Sequence, residues 1–210
     1  MRHLAEAWLR TTARVGARGD VAGAGAALLG RYAGSERRYH DIAHLDEVLR
    51  HVDELAADAT DADVVRLAAW FHDAVYDPRA ADNEERSARL AEKVLAELRV
   101  DDRTIDEVAR LVRLTADHHP DPGDADGAVL CDADLAVLAG SPDRYQAYAR
   151  AVREEYAQVG DDDFAAGRLV VLRSLLDRPT LFTTAGARAD WEAAARDNVT
   201  AEIARLANDS

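Results

Sequence analysis

The sequence predicts an all-α fold, a helical bundle with little or no strand, and two observations predict it. Nearly half of the residues are apolar, but alanine is abundant while aromatic and β-branched residues are few, a balance that favours helix over sheet. Apolar residues also recur at three and four positions, as in Val64, Leu67, Ala68, Phe71 and Val75, the period of one helical face. At 210 residues the chain is long enough to bury a sizeable core as one domain, 1–210, and does not divide into two equal halves.

Taken in order, an amphipathic helix is expected over 3–15, then an alanine-rich one ending near Tyr32 with Gly34 as its stop signal. A third helix bears His40 and His44 and continues through Val48, Val52 and Leu55. Asp61 or Thr60 caps the next, which runs to His72 and Asp73 and is ended by Pro78 and the polar stretch after it. A loop over 77–83 leads into a helix over 84–98, with Asp82 and Glu85 spaced as a capping box. A helix over 105–116 presents His118 and His119 at its end, where the helix dipole favours cationic histidine. An apolar run over 130–138 follows. Pro142 opens a helix over 143–159, Asp161–Asp163 another to Leu176, and a last one over 187–206 reads as a packing or dimer helix, compatible with a homodimer.

Four clusters on these helices carry chemistry. LAAWFHDAVY delivers His72 and Asp73 from an apolar run; YHDIAHL sets His40 and His44 four apart; TADHHP pairs His118 with His119; LCDADLAVL embeds Asp132 and Asp134 among apolar residues. Carboxylates in such surroundings are costly unless paired or coordinated. Each cluster taken singly has a structural explanation, but the four together point to a shared metal ion. Imidazole and carboxylate both bind divalent Mn, Fe, Ni, Co, Zn and Mg, so the ligand types leave the ion open.

The net charge of −14 argues against a protein that grips extended nucleic acid, because that needs clustered Lys and Arg. A small phosphorylated substrate is compatible with it, since local positive charge suffices, and Arg37 and Arg38 precede the histidines. Arg150, Arg153 and Arg168 could also reach a phosphate, although charged helical residues usually form a solvated face. Cys131 is the only cysteine, which rules out an internal disulfide, and it reads as buried and inert. The first residues lack the apolar core of a signal peptide, and no stretch is long enough to cross a bilayer. No membrane association and a cytoplasmic location are expected.

The ordered series of a histidine, an adjacent His-Asp pair and a distant aspartate resembles the HD superfamily of metal-dependent phosphohydrolases. RRYHDIAHL, LAAWFHDAVYDPRAADNEERSA, the paired histidines and DADLAVLAG look more closely like a bacterial branch predicted to be HD phosphohydrolases. The resemblance covers about 37–176, the expected metal-binding core, and implies an HD-domain-like bundle with a divalent ion. Carried over, it makes His44 the first ligand, His72 and Asp73 the central pair, and Asp134 the closing aspartate, with Asp132 as the alternative. It places His40 near the site mouth and gives Glu84, or else Asp77 or Glu85, a part in proton transfer beside Asp73. It also suggests His118 or His119 for a second ion or a substrate phosphate. One nucleotidase branch has a glutamate shortly after the pair where this chain has Val75, which weakens a deoxynucleoside monophosphatase reading.

The chemistry so implied is hydrolysis of a phosphate ester by metal-activated water, with Arg38 balancing substrate charge. The alternative is a non-catalytic metal-binding or ligand-sensing module on the same scaffold.

Overall fold

Apolar stripes at helical spacing have to be covered, and here helices cover one another. In the computed structural model, which describes residues 1–208, the chain forms ten α-helices and two short 3-10 turns, with no strand among the described residues. The central element is α4 (Ala62–Phe71), in which Val64, Val65 and every residue of 67–71 are buried. A helix that is apolar around most of its circumference, with Asp63 and Arg66 on the remaining side, belongs largely inside a protein. Around it pack α1 (Arg2–Arg14), α3 (Ile42–Glu54), α5 (Asn83–Glu97), α6 (Asp102–Leu114) and α7 (Ala125–Leu135). α2 (Val21–Tyr32) lies on α1, while α8 (Pro142–Glu155), α9 (Asp161–Leu176) and α10 (Ala185–Asn208) close the other side. One apolar cluster extends from Leu4 to Val199.

Both ends of α4 are fixed by side chains. The Asp61 carboxylate accepts from the amides of Asp63 and Val64, and Asp126 at the start of α7 accepts from the amides of Thr60 and Asp61 at 2.7 and 2.9 Å. The two central helices are thereby tied start to start. At the other end α4 stops at Phe71, well before Pro78. Ser87 on α5 takes both backbone groups of Val75, accepting its N–H at 3.0 Å and donating to its carbonyl at 3.2 Å. Helical hydrogen bonding cannot continue through a residue held that way.

Three other expectations give way to stronger local caps. His40 does not share a helix with His44, because Asp41 accepts from the amides of Ala43 and His44 and starts α3 between them. Asp82 precedes α5 but caps nothing with its side chain, and Glu85 binds Arg89 and Arg113 instead of closing a capping box. The loop before α5 is held by Asn83, which bonds both backbone groups of Asp77 at 3.0 and 2.9 Å. α8 ends at Glu155, since Arg153 donates to the carbonyls of Tyr156 and Val159 and turns the chain. Cys131 is buried and its thiol pKa is pushed up by burial. No described helix is long and apolar enough to cross a membrane.

Packing of α1 on α2 depends on a missing side chain. A Cβ at Gly25 would run into the indole of Trp8, whereas one at Gly30 on the same helix would meet nothing within 4 Å. We expect Gly25→Ala to lower the unfolding free energy by about 1–3 kcal/mol through overpacking. Gly30→Ala should raise it by up to about 1 kcal/mol through reduced backbone entropy of the unfolded chain. Urea denaturation of the two variants measures both.

Candidate metal centre

The centre is built where α3, α4 and α7 meet. His44 projects from the first turn of α3, His72 and Asp73 follow the last residue of α4, and Asp134 lies near the end of α7. His44 and His72 are buried, while the side chains of Asp73 and Asp134 are 15% and 13% exposed, so the cluster has a mouth. His44 Nε2 and His72 Nε2 stand 3.1 Å apart. Asp73 Oδ2 lies 3.4 Å from the first and 3.1 Å from the second. Asp134 Oδ1 lies 3.2 and 3.5 Å from them. Ligand atoms held about 2.0–2.2 Å from one ion stand about 3.0–3.5 Å from their nearest neighbours, so these spacings suit a common cation. His44, His72 and Asp134 each offer a ligand atom, all within 4.8 Å of one another.

Hydrogen bonds around the cluster orient its members. His72 Nδ1 donates to the carbonyl of Ala69 at 2.8 Å, which leaves Nε2 as the atom turned on the cluster. Asp134 divides its carboxylate, Oδ1 facing the two imidazoles and Oδ2 accepting from His118 Nε2 at 2.8 Å. His118 reaches it from a left-handed backbone, φ 52°, a conformation that non-glycine residues adopt at some cost. Arg178 holds that turn by donating to the carbonyls of Asp117 and His118 at 2.8 and 3.0 Å.

The imidazoles and carboxylates of the cluster hold one another in their charged forms. Burial pulls the His44 pKa down, but bonds to Asp134 and Asp73 outweigh it and hold it up at about 9. His72 is likewise held well above its ordinary value, burial being outweighed by the charges of Asp73 and Asp134. Burial acts to raise both aspartates, yet the imidazoles, His72 foremost, hold them well below the usual carboxylate range. Two negative carboxylates therefore draw positive charge into this spot, a demand that protons on the imidazoles or one divalent ion can meet.

A second constellation adjoins the first. Glu155 Oε1 accepts the successive amides of Arg38, Tyr39 and His40 at 2.9, 2.9 and 3.0 Å. Its Oε2 accepts from His40 Nδ1 at 2.6 Å and from the Tyr76 hydroxyl at 3.0 Å. His40, stacked on Tyr76 at 4.1 Å, is thus fixed with its ring 5.7 Å from that of His44. Glu155 was invisible to residue-by-residue reading, since VREEY looks like a solvated helical stretch. A faint signal was its position three residues after Val152, on the apolar face of α8.

Four expected site residues are not brought to the centre. Asp132 is two residues from Asp134, about 200° away around a helix, and its carboxylate caps the amides of Thr183 and Thr184 at 2.8 and 2.7 Å. Arg38 is exposed and donates to the carbonyl of Ser35, its Nε 3.8 Å from Glu154. Glu84 sits in the first turn of α5 with no hydrogen bond or ion pair to the cluster. His119 is exposed and turned onto Asp117, because the left-handed step at His118 sends successive side chains apart.

Glu155 supplies a stability test that needs no ligand. Burial works to raise its pKa, but the bonds from His40 and the backbone amides hold it down at about 2. The stabilisation from a depressed carboxylate is complete above its unfolded pKa, about 4.3, and is lost as pH falls toward the folded value. We expect Glu155→Gln to cost about 3 kcal/mol at pH 7 by leaving buried donors poorly matched. The gap from the parent protein should narrow between about pH 5 and pH 3 in urea denaturation, following that linkage.

Comparison of the chain with protein-family models, with curated proteins and with solved structures finds no match.

Proposed function

We propose that this protein is a metal-dependent phosphohydrolase of the HD kind, acting on a small phosphate ester. The observation that carries the reading is the convergence of His44, His72, Asp73 and Asp134, with imidazole-to-carboxylate spacings of 3.1 to 3.5 Å at the mouth of a helical bundle. These are the four residues that the resemblance to the superfamily designates as ligands. When bound, a divalent ion would lower the pKa of a water molecule and polarise a phosphoryl oxygen. The ligand set of two nitrogens and two oxygens suits Mn, Fe, Ni, Co or Zn, and Mg less well.

The chain's own residues do the remaining work. His72 and His44 present Nε2, the first with its other nitrogen committed to Ala69. Asp73 turns Oδ2 to the imidazoles and leaves Oδ1 without a protein hydrogen bond, so Oδ1 is the atom placed to take a proton from the attacking water. His118 fixes the rotation of Asp134, and His40, steadied by Glu155, borders the route by which an ester would approach. The charge of −14 fits a small substrate better than a polyanion, which most of the surface would repel. A cytoplasmic location goes with this reading and with the lone buried thiol.

We expect one equivalent of divalent ion by plasma emission analysis of protein purified with added manganese. His44→Asn and Asp134→Asn should abolish binding while keeping helical circular dichroism, and Asp132→Asn should retain it. His118→Ala should weaken binding about 10- to 100-fold as the loss of an outer hydrogen-bond partner. Phosphomonoester turnover should require the ion and vanish with it. Stoichiometric binding without turnover of any phosphomonoester would favour the non-catalytic module, and turnover surviving His44→Asn would sink the proposal.

A further inference from the structure

A cavity of about 480 Å³ opens beside the centre, between α8 and α9, with His40 in its wall. We propose that it receives the alcohol part of the substrate, and that this part is a flat, apolar, ring-sized group carrying a single phosphate. The phosphate half of the proposal rests on the hydrolase reading; the ring half rests on the cavity alone.

Position comes first. His40 is shared between the two sites, lining the cavity while its ring stands 5.7 Å from that of His44. None of His44, His72, Asp73 and Asp134 lines the cavity, so His40 is the residue past which the alcohol part of an ester held at the four ligands would enter it. The volume falls within the range of about 300–1,000 Å³ typical of small-molecule sites.

The lining chooses the chemistry. Tyr156 and Phe164 form an inclined aromatic pair with centroids 6.0 Å apart, and Tyr148 contributes a third ring. Val152, Val159 and Val171 supply aliphatic surface, and Val171 is 51% exposed at the rim. Aromatic faces favour a planar apolar guest. The polar groups of the lining are His40, Asp163, Arg168 and the hydroxyls of Tyr148 and Tyr156, and the rest of the wall is aromatic and valine surface on which a ring face can rest.

Charge excludes a second phosphate. Among the described residues the one lysine or arginine in the lining is Arg168, and its side chain is only 10% exposed. Its Nε and Nη2 donate to Glu202 at 3.0 and 3.2 Å, and Nη2 also reaches the Tyr148 hydroxyl at 3.1 Å. That guanidinium is already neutralised by a buried carboxylate. Asp163 adds negative charge to the lining, which a diphosphate would have to face.

Gly167 provides the test. It lines the cavity from α9, and a Cβ there meets nothing within 4 Å, so leucine would project into the space without straining the backbone. Replacing a helical glycine should also leave the melting temperature unchanged or higher. Parent protein and Gly167→Leu, both loaded with manganese, are compared in two assays. One is fluorescence titration with 1-naphthol, which carries no phosphate. The other is kcat/KM for 1-naphthyl phosphate and for glycerol 1-phosphate.

We expect naphthol to bind the parent, and to bind the leucine variant at least about tenfold more weakly, as overpacking of 1–3 kcal/mol implies. The preference for naphthyl over glycerol phosphate should fall by a similar factor. Equal naphthol binding by the two proteins, or an unchanged preference, overturns the assignment. Turnover of both esters without naphthol binding removes the ring site and leaves the hydrolase standing. Naphthol binding that depends on position 167, with neither ester turned over, sinks the hydrolase reading and keeps the ring site.

Discussion

The hydrogen bond from His72 Nδ1 to the carbonyl of Ala69 serves two needs at once. An α-helix ends with carbonyls that have no helical partner, and α4 ends in the middle of the protein, where water cannot reach them. Each is met by a group that also shapes the site. Ala69 takes the imidazole, Trp70 takes the hydroxyl of Tyr32 at 3.2 Å and Phe71 takes the amide of Ala74 at 2.9 Å, while in the turn beyond the helix the carbonyl of Ala74 takes Arg37. The requirement that this buried end be satisfied fixes the tautomer of His72 and the turn carrying Asp73. Helix termination and the placement of His72 and Asp73 are therefore one structural event.

Buried acids sort by what they face. Asp126 and Asp132 accept backbone amides, Glu155 accepts three of them together with His40 and Tyr76, and Glu202 binds Arg168 and the Tyr145 hydroxyl. These carboxylates hold chain segments together, and their charge is spent on fixed dipoles or on a fixed cation. Asp73 and Asp134 differ, since the groups opposite them are two imidazoles whose Nε2 atoms have no backbone partner. Fixed amide dipoles cannot be exchanged for an ion, whereas imidazole protons can. That difference separates Asp134 from Asp132, which composition and local context alone leave nearly equivalent.

What the sequence made legible follows the range of the interactions involved. The helical fold and the centrality of α4 rest on apolar periodicity, and the convergence of His44, His72, Asp73 and Asp134 was anticipated from the resemblance and from ligand types placed within apolar runs. Local competition was harder to read. Asp41 against a longer α3, and Ser87 against a longer α4, are contests between a side chain and the helix ladder that periodicity does not decide. Partners distant in the chain left almost no local trace. Glu155 meets residues more than a hundred positions earlier, and Arg178 meets a turn sixty positions before it, so each looks like an ordinary surface charge until the helices are packed.

The turn at His118 shows how far such distant support extends. A non-glycine residue in the left-handed region costs about 1–2 kcal/mol, against which the His118 amide donates to the carbonyl of Leu114 at 3.0 Å at the end of α6. Arg178 sustains it with two guanidinium bonds, although burial lowers the pKa of that side chain and leaves its Nε without a partner. Two unfavourable terms thus coexist in one small region. What relaxing the turn would forfeit is the contact from His118 Nε2 to Asp134 Oδ2, the bond that turns Oδ1 toward the imidazoles. The left-handed step at His118 is therefore held from a distant segment, and it is the step on which the orientation of Asp134 depends.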